Sequence, residues 1–346
     1  MADSTKVKRH YDALVRTGRV PTLVDIRETL PAAEPRIIEH LAAALQEAGH
    51  NAMLQRMAKK IESVAAAHGS LPEDIYVGKY PTGSFNAQVM KTTDGPLVLI
   101  NTGTEFLIIE IVKLFAMGAI GLVKSAPDAT DEEIRNAIGM TESEVSEQLA
   151  RLLYAYVAQG DPAAARKLPM IQGELLIAVS KLAWATQEFL VAHEYGHIVK
   201  GHLRGLQARN AVDDGGELHL NWKSLEQEVE ADATALQMCN ALTFQETGQR
   251  IDDPAKLILL QMRFAGPTIF FALADLIEET FKSLVGKRGY LIVGGHPPSP
   301  MRLQYCNEYL LRIAGERALE VAKVFQNWVD HYKDGVIDVT QRLVQA

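Results

Sequence analysis

The sequence predicts a mostly helical α+β protein. Three observations carry that prediction. Long apolar stretches, several opened by capping residues, fill most of the chain after residue 105. Two short runs rich in β-branched and aromatic residues, bounded by Gly and Pro, lie between residues 74 and 104. The composition, 47% hydrophobic and 23% charged over 346 residues, is that of a globular chain with ample material for a core.

The N-terminal region reads as helical. Leu41, Leu45 and Met53 recur at helical spacing, and Pro21, Pro31 and Pro35 cut the region into short helices. We expect a helical cap over residues 1–70. Residues 75–80 and 96–100 read as strands. Lys91-Thr-Thr-Asp-Gly95 supplies turn chemistry between them, so the sheet should be small and partly antiparallel. Beyond residue 105 helices dominate. Thr130 opens one with an acidic first turn, and Thr141 opens another with a capping-box pattern completed by Glu144. Gly160-Asp161-Pro162 is a break. Residues 174–200 form the strongest helical stretch, with Gly201 as its stop and a polar loop at 212–216. Further helices are expected over residues 224–242, 254–284 and from 300 to the end.

Charge and cysteine content narrow the function classes. The chain has 35 basic and 43 acidic residues and a net charge of −8, which argues against broad electrostatic wrapping of nucleic acid. Cys239 and Cys306 are its two cysteines. They exclude a disulfide framework and point to a reducing compartment. Residues 1–9 lead into no apolar run, so no secretory signal is expected. Residues 107–123 carry Glu110 and Lys113, and residues 257–277 carry Gln261, Arg263, Pro267 and Asp275. Neither stretch gives about 20 uninterrupted apolar residues. The expectation is a soluble, cytoplasmic protein without a membrane span. No Gly-x-Ser-x-Gly elbow is present, and Gly294-Gly295 is not followed by the Lys-Ser/Thr of a phosphate loop.

The chemistry concentrates in His193-Glu194-Tyr195-Gly196-His197. Positions i and i+4 share one face of a helix. Two imidazoles so placed can bind one Zn²⁺ at about 2.0–2.1 Å each. Glu194 is aimed to reach a water on the metal, which suits a general base. A third ligand is needed. Downstream, Glu228 and Asp232 are again i and i+4 on one face. Glu228 would complete a His₂Glu site, and Asp232 would accept the free N–H of a ligand histidine. Glu226 and Glu230 point elsewhere and read as a solvated acidic face. His202, just past Gly201, reads as a surface or supporting residue, and Tyr195 as packing.

Taken together, His193-Glu-Tyr-Gly-His197, Glu228-Val-Glu-Ala-Asp232 and His296-Pro-Pro-Ser-Pro-Met-Arg302 resemble the gluzincin zinc metallopeptidases of the HtpX and CAAX-prenyl-protease type. Ser84-Phe-Asn86-Ala87, with the strand that follows, is similar to that family's Asn-Ala strand. A weaker resemblance is to the Lit-type phage-exclusion peptidases. The first resemblance implies a zincin-like core over residues 71–310 with a helical insert at about 116–170, preceded by the helical region 1–70 and followed by a helical segment 311–346. It implies His193, His197 and Glu228 as ligands of one Zn²⁺ per chain, Glu194 as general base and acid, and Asp232 as their support. It places His296 and Arg302 near the site, supporting the ligand helix or the transition-state oxyanion. The implied function is a zinc-dependent endopeptidase acting on a protein or peptide. The alternative is a latent or inactive peptidase-like module whose helices bind DNA or a protein partner.

Overall fold

A computed structural model describes residues 6–15, 51–124, 139–165, 168–169, 171–206, 224–248, 253–285 and 298–345. The helices expected between residues 16 and 50, the helix opened at Thr130, the loop at 212–216 and His296 lie outside the described residues. The elements are α1 (Lys6–Val15), α2 (Ala52–Ala65), β1 (Tyr76–Tyr80), β2 (Ala87–Lys91), β3 (Pro96–Asn101), α3 (Thr102–Lys124), α4 (Glu142–Gln159), α5 (Gly173–Val199), α6 (Leu225–Thr247), α7 (Pro254–Val285), α8 (Ser299–Ala314) and α9 (Glu320–Gln345). Among the described residues the fold is a mostly helical α+β arrangement with one three-stranded sheet.

The last strand in sequence, β3, is central. It pairs in parallel with β1 and antiparallel with β2. The turn at Thr92–Gly95 joins β2 to β3, with the Thr92 hydroxyl donating to the Gly95 carbonyl at 2.6 Å. All six residues of β3 are buried, because both faces are covered. Side chains alternate across a strand. Leu97 and Leu99 meet Val7, Tyr11 and Leu14 of α1, whereas Val98 and Ile100 enter the main core. The helix α1 therefore covers the face of the sheet away from the helical body.

Helix α5 is the axis of that body. It packs against α2, α3, α6, α7 and the strands β2 and β3. Its sequence is apolar around most of its circumference, as expected of a helix surrounded by protein, and from Ala185 to Val199 every residue is buried. Gly201 adopts φ +73° and ends the helical run. The capping box at Thr141 and the left-handed cap at Gly160 bound α4 as their residue types require. The single helix expected from residue 300 to the end is two. Gly315 (φ +78°) stops α8, a short 3₁₀ turn follows, and α9 restarts at Glu320 to pack along α7 and α4.

Residues 173–199 and 256–284 are each long and apolar enough to cross a membrane. In each, 61% of the most apolar window is buried inside the fold, the position of a core helix. Cys239 and Cys306 are buried, free thiols.

Candidate metal centre

Three helices build the site. The first, α5, carries His193 and His197 one turn apart, with relative exposures of 6% and 0%. Their Nε2 atoms face each other at 3.1 Å, and the rings sit edge to face. Phe189, one turn earlier, lies beside His193 and joins an apolar wall with Phe270 and Phe271. That wall lowers the local dielectric and strengthens each polar contact inside it.

The second helix, α6, supplies the carboxylates. A capping box fixes where it begins: the Ser224 hydroxyl accepts from the Gln227 amide, and Gln227 Oε1 accepts from the Ser224 amide. Glu228 follows one turn in, close to the helix N-terminus, where negative charge is favoured. Both Glu228 and Asp232 are fully buried. Glu228 Oε2 lies 3.4 Å from His193 Nε2, and Oε1 lies 3.4 Å from His197 Nε2. This reach depends on a small residue. A Cβ at Gly196 would stand 2.8 Å from the Ala231 carbonyl oxygen and 3.0 Å from its Cα. Only a glycine lets the two helices approach so closely.

Asp232 Oδ1 lies 2.9 Å from His193 Nδ1, hydrogen-bond length at a less than ideal angle. A carboxylate only accepts, so Asp232 favours a proton on Nδ1, and once the ring gives up its second proton the Nε2 lone pair is the one toward Glu228 and His197. Burial opposes charge on His193, but the Asp232 and Glu228 carboxylates outweigh it and raise its pKa to about 9. Burial also disfavours charge on Asp232, yet Arg302 and His193 hold its carboxyl below the usual range.

Arg302, from α8, completes the arrangement. Its Nε and Nη2 donate to the two oxygens of Asp232 at 2.8 and 2.7 Å. Its Nη1 lies 3.2 Å from Glu228 Oε2, and the guanidinium sits 4.6 Å from the Phe271 ring centroid. The start of α8 is tied to α7 by Ser299, whose hydroxyl donates to Glu278 at 2.8 Å. Arg302 thus braces the two acidic groups of α6.

Glu194 is buried on α5 between the histidines in sequence, with 2% exposure. Tyr195 is buried too and donates its hydroxyl to Glu62 at 2.7 Å, tying α5 to α2. Beyond His197, His202 Nδ1 lies 2.8 Å from His197 Nδ1, and His202 Nε2 lies 3.0 Å from Glu230 Oε2. Glu230, expected on a solvated acidic face, is half exposed but touches the site through His202. The signal that could have found this contact is Gly201. A left-handed residue there bends the chain, so that the amides of Gly201 and His202 bond back to the carbonyls of Ile198 and His197. This cap lays the residue after the glycine against the one five positions earlier.

His193, His197 and Glu228 thus form a buried group whose ligand atoms all lie within 4.8 Å of one another and could hold a metal ion. Among the described residues, the buried carboxylates of Glu228 and Asp232 meet the two histidines and the guanidinium of Arg302. No family model, curated protein or solved structure matches this chain.

Proposed function

We propose that this chain is a zinc-dependent peptidase with a zincin-like centre. One observation carries the reading. Ligand bonds of about 2.0–2.2 Å at tetrahedral angles put neighbouring donor atoms about 3.3–3.6 Å apart. Here the two Nε2 atoms stand 3.1 Å apart, and each lies 3.4 Å from one of the two Glu228 oxygens, His193 from Oε2 and His197 from Oε1. Two imidazoles and one carboxylate are the donor set of a catalytic zinc site, which leaves a fourth position open. His193, His197 and Glu228 would hold the ion. Bound there, zinc supplies Lewis acidity toward a scissile carbonyl and makes a coordinated water more acidic.

The remaining work falls to the protein. Glu194 follows directly on a ligand histidine and is not itself in the ligand triangle. It serves as the base that takes a proton from water and as the acid that returns it to the leaving amine. Asp232 orients His193 and raises its basicity. Arg302 positions Asp232 and Glu228 rather than contacting the reacting atoms, because its bonds go to those two carboxylates. The phenylalanine wall on α5 and α7 keeps the surroundings of the ligands apolar. The substrate is a protein or peptide.

Elemental analysis of the purified chain, paired with mass-spectrometric cleavage of an unfolded peptide library, tests this. We expect about one zinc per chain. Glu194→Gln should keep its zinc and lose cleavage by at least 100-fold, the scale of general base catalysis. Wild-type turnover in that variant, or full zinc uptake in Glu228→Ala, would contradict the assignment.

A further inference from the structure

We infer that His202 and Glu230 are positioning residues that decide which nitrogen of His197 faces the metal point. The inference rests on the metal centre proposed above and extends it to two residues outside the ligand set.

Glu230 is half exposed and its carboxylate is a pure acceptor. His202 Nε2, 3.0 Å away, must therefore donate. In a neutral imidazole this leaves His202 Nδ1 as the acceptor. His197 Nδ1, at 2.8 Å, is then obliged to donate to it. The remaining nitrogen of His197, Nε2, keeps its lone pair, and it is the atom that lies 3.1 Å from His193 Nε2 and 3.4 Å from Glu228. Glu230 thus does for His197, through one intervening ring, what Asp232 does directly for His193. The two ligand imidazoles are oriented by neighbouring positions of α6, residues 230 and 232.

Local structure holds the relay in place. The glycine cap at Gly201 presses His202 onto His197, with ring centroids 5.0 Å apart. The His202 side chain is 6% exposed whereas that of Glu230 is 51% exposed. Lys200 Nζ stands 3.7 Å from the other oxygen of Glu230. The carboxylate is anchored on one side and open to water on the other, so its substitution leaves no buried hole.

Zn²⁺ and Co²⁺ alone suffice as probes, on the full chain. We expect His202→Ala and Glu230→Ala to weaken Zn²⁺ binding roughly 10–100-fold in chelator competition, the usual cost of losing a ligand's orienting partner. Both should also shift the visible absorption of the Co²⁺-loaded protein. His202→Gln, whose amide can accept at one atom and donate at the other, should recover most of the affinity. The metal-free proteins should unfold at the wild-type temperature. Should His202→Ala not fold, Glu230→Ala carries the test. Wild-type affinity and an unchanged Co²⁺ spectrum in the alanine variants would overturn the inference. So would a loss of affinity that tracks a loss of metal-free stability. If the wild-type chain itself takes up no metal, the proposed centre fails first, and that result is distinct from either.

Discussion

Arg302 meets two fully buried carboxylates and stacks on Phe271. Removing one member of such a buried group leaves uncompensated charge, which costs about 3–5 kcal/mol. Arg302→Leu should therefore lower unfolding stability by about that amount in urea titration. Arg302→Lys should recover only part, because a point charge cannot make the two parallel bonds to Asp232. Added zinc should restore some stability to Arg302→Leu by neutralising Glu228. A wild-type urea midpoint for the leucine variant would show that the network does not support α6. At this scale the sequence was informative where spacing alone decides. The i, i+4 pairs His193/His197 and Glu228/Asp232 are visible in any helical reading. Glu230 was not. Helical periodicity gives the direction in which a side chain leaves its own helix, but the neighbour it meets depends on how the next chain segment turns. Here that turn is set by Gly201 and brings His202 back over His197.

Helix α5 meets α6 at Gly196, where a Cβ would press on the Ala231 backbone. Backbone cannot swing aside as a side chain can, so Gly196→Ala must part the two helices by several tenths of an ångström. The alanine gains about 1 kcal/mol in helix propensity, which the overpacking penalty of about 1–3 kcal/mol offsets. We expect little change in helix content by circular dichroism, but at least a tenfold loss of zinc affinity, because the ligands sit on both helices. Unchanged affinity would mean that the close crossing does not position Glu228. The helices themselves were largely legible, since Thr141, Gly160, Gly201 and Ser224 act at the ends of their own elements. The strand order was not. Turn chemistry at Asp94-Gly95 is local, and it joins β3 to its immediate predecessor β2. β2 reads Ala-Gln-Val-Met-Lys, which has little strand character. Its neighbour β1 pairs in parallel with β3 by a connection that sequence pattern does not encode. Gly315 likewise looks like a tolerated helical glycine until its positive φ shows the chain turning.

For the molecule as a whole, an ion at this centre would cross-link α5, the axis of the core, to α6, with α8 braced behind. An ion that binds the folded chain and not the unfolded one stabilises it by RT ln(1 + [L]/Kd), about 4 kcal/mol at a thousandfold excess over Kd. Unfolding entropy of about 2.1 cal/mol/K per residue amounts to about 0.7 kcal/mol/K for a chain of this length. The midpoint should then rise by about 6 °C with zinc and fall back when a chelator removes it, which scanning calorimetry will read. His193→Ala/His197→Ala should show no response to zinc. Glu194→Gln should show the whole response, because Glu194 lies outside the ligand triangle and its loss touches chemistry rather than binding. A Glu194→Gln protein that no longer responds to zinc would make Glu194 a ligand and return the role of base to another group. A wild-type midpoint indifferent to both zinc and chelator would mean that the two histidines and Glu228 are held together by the protein's own hydrogen bonds, and not for a cation.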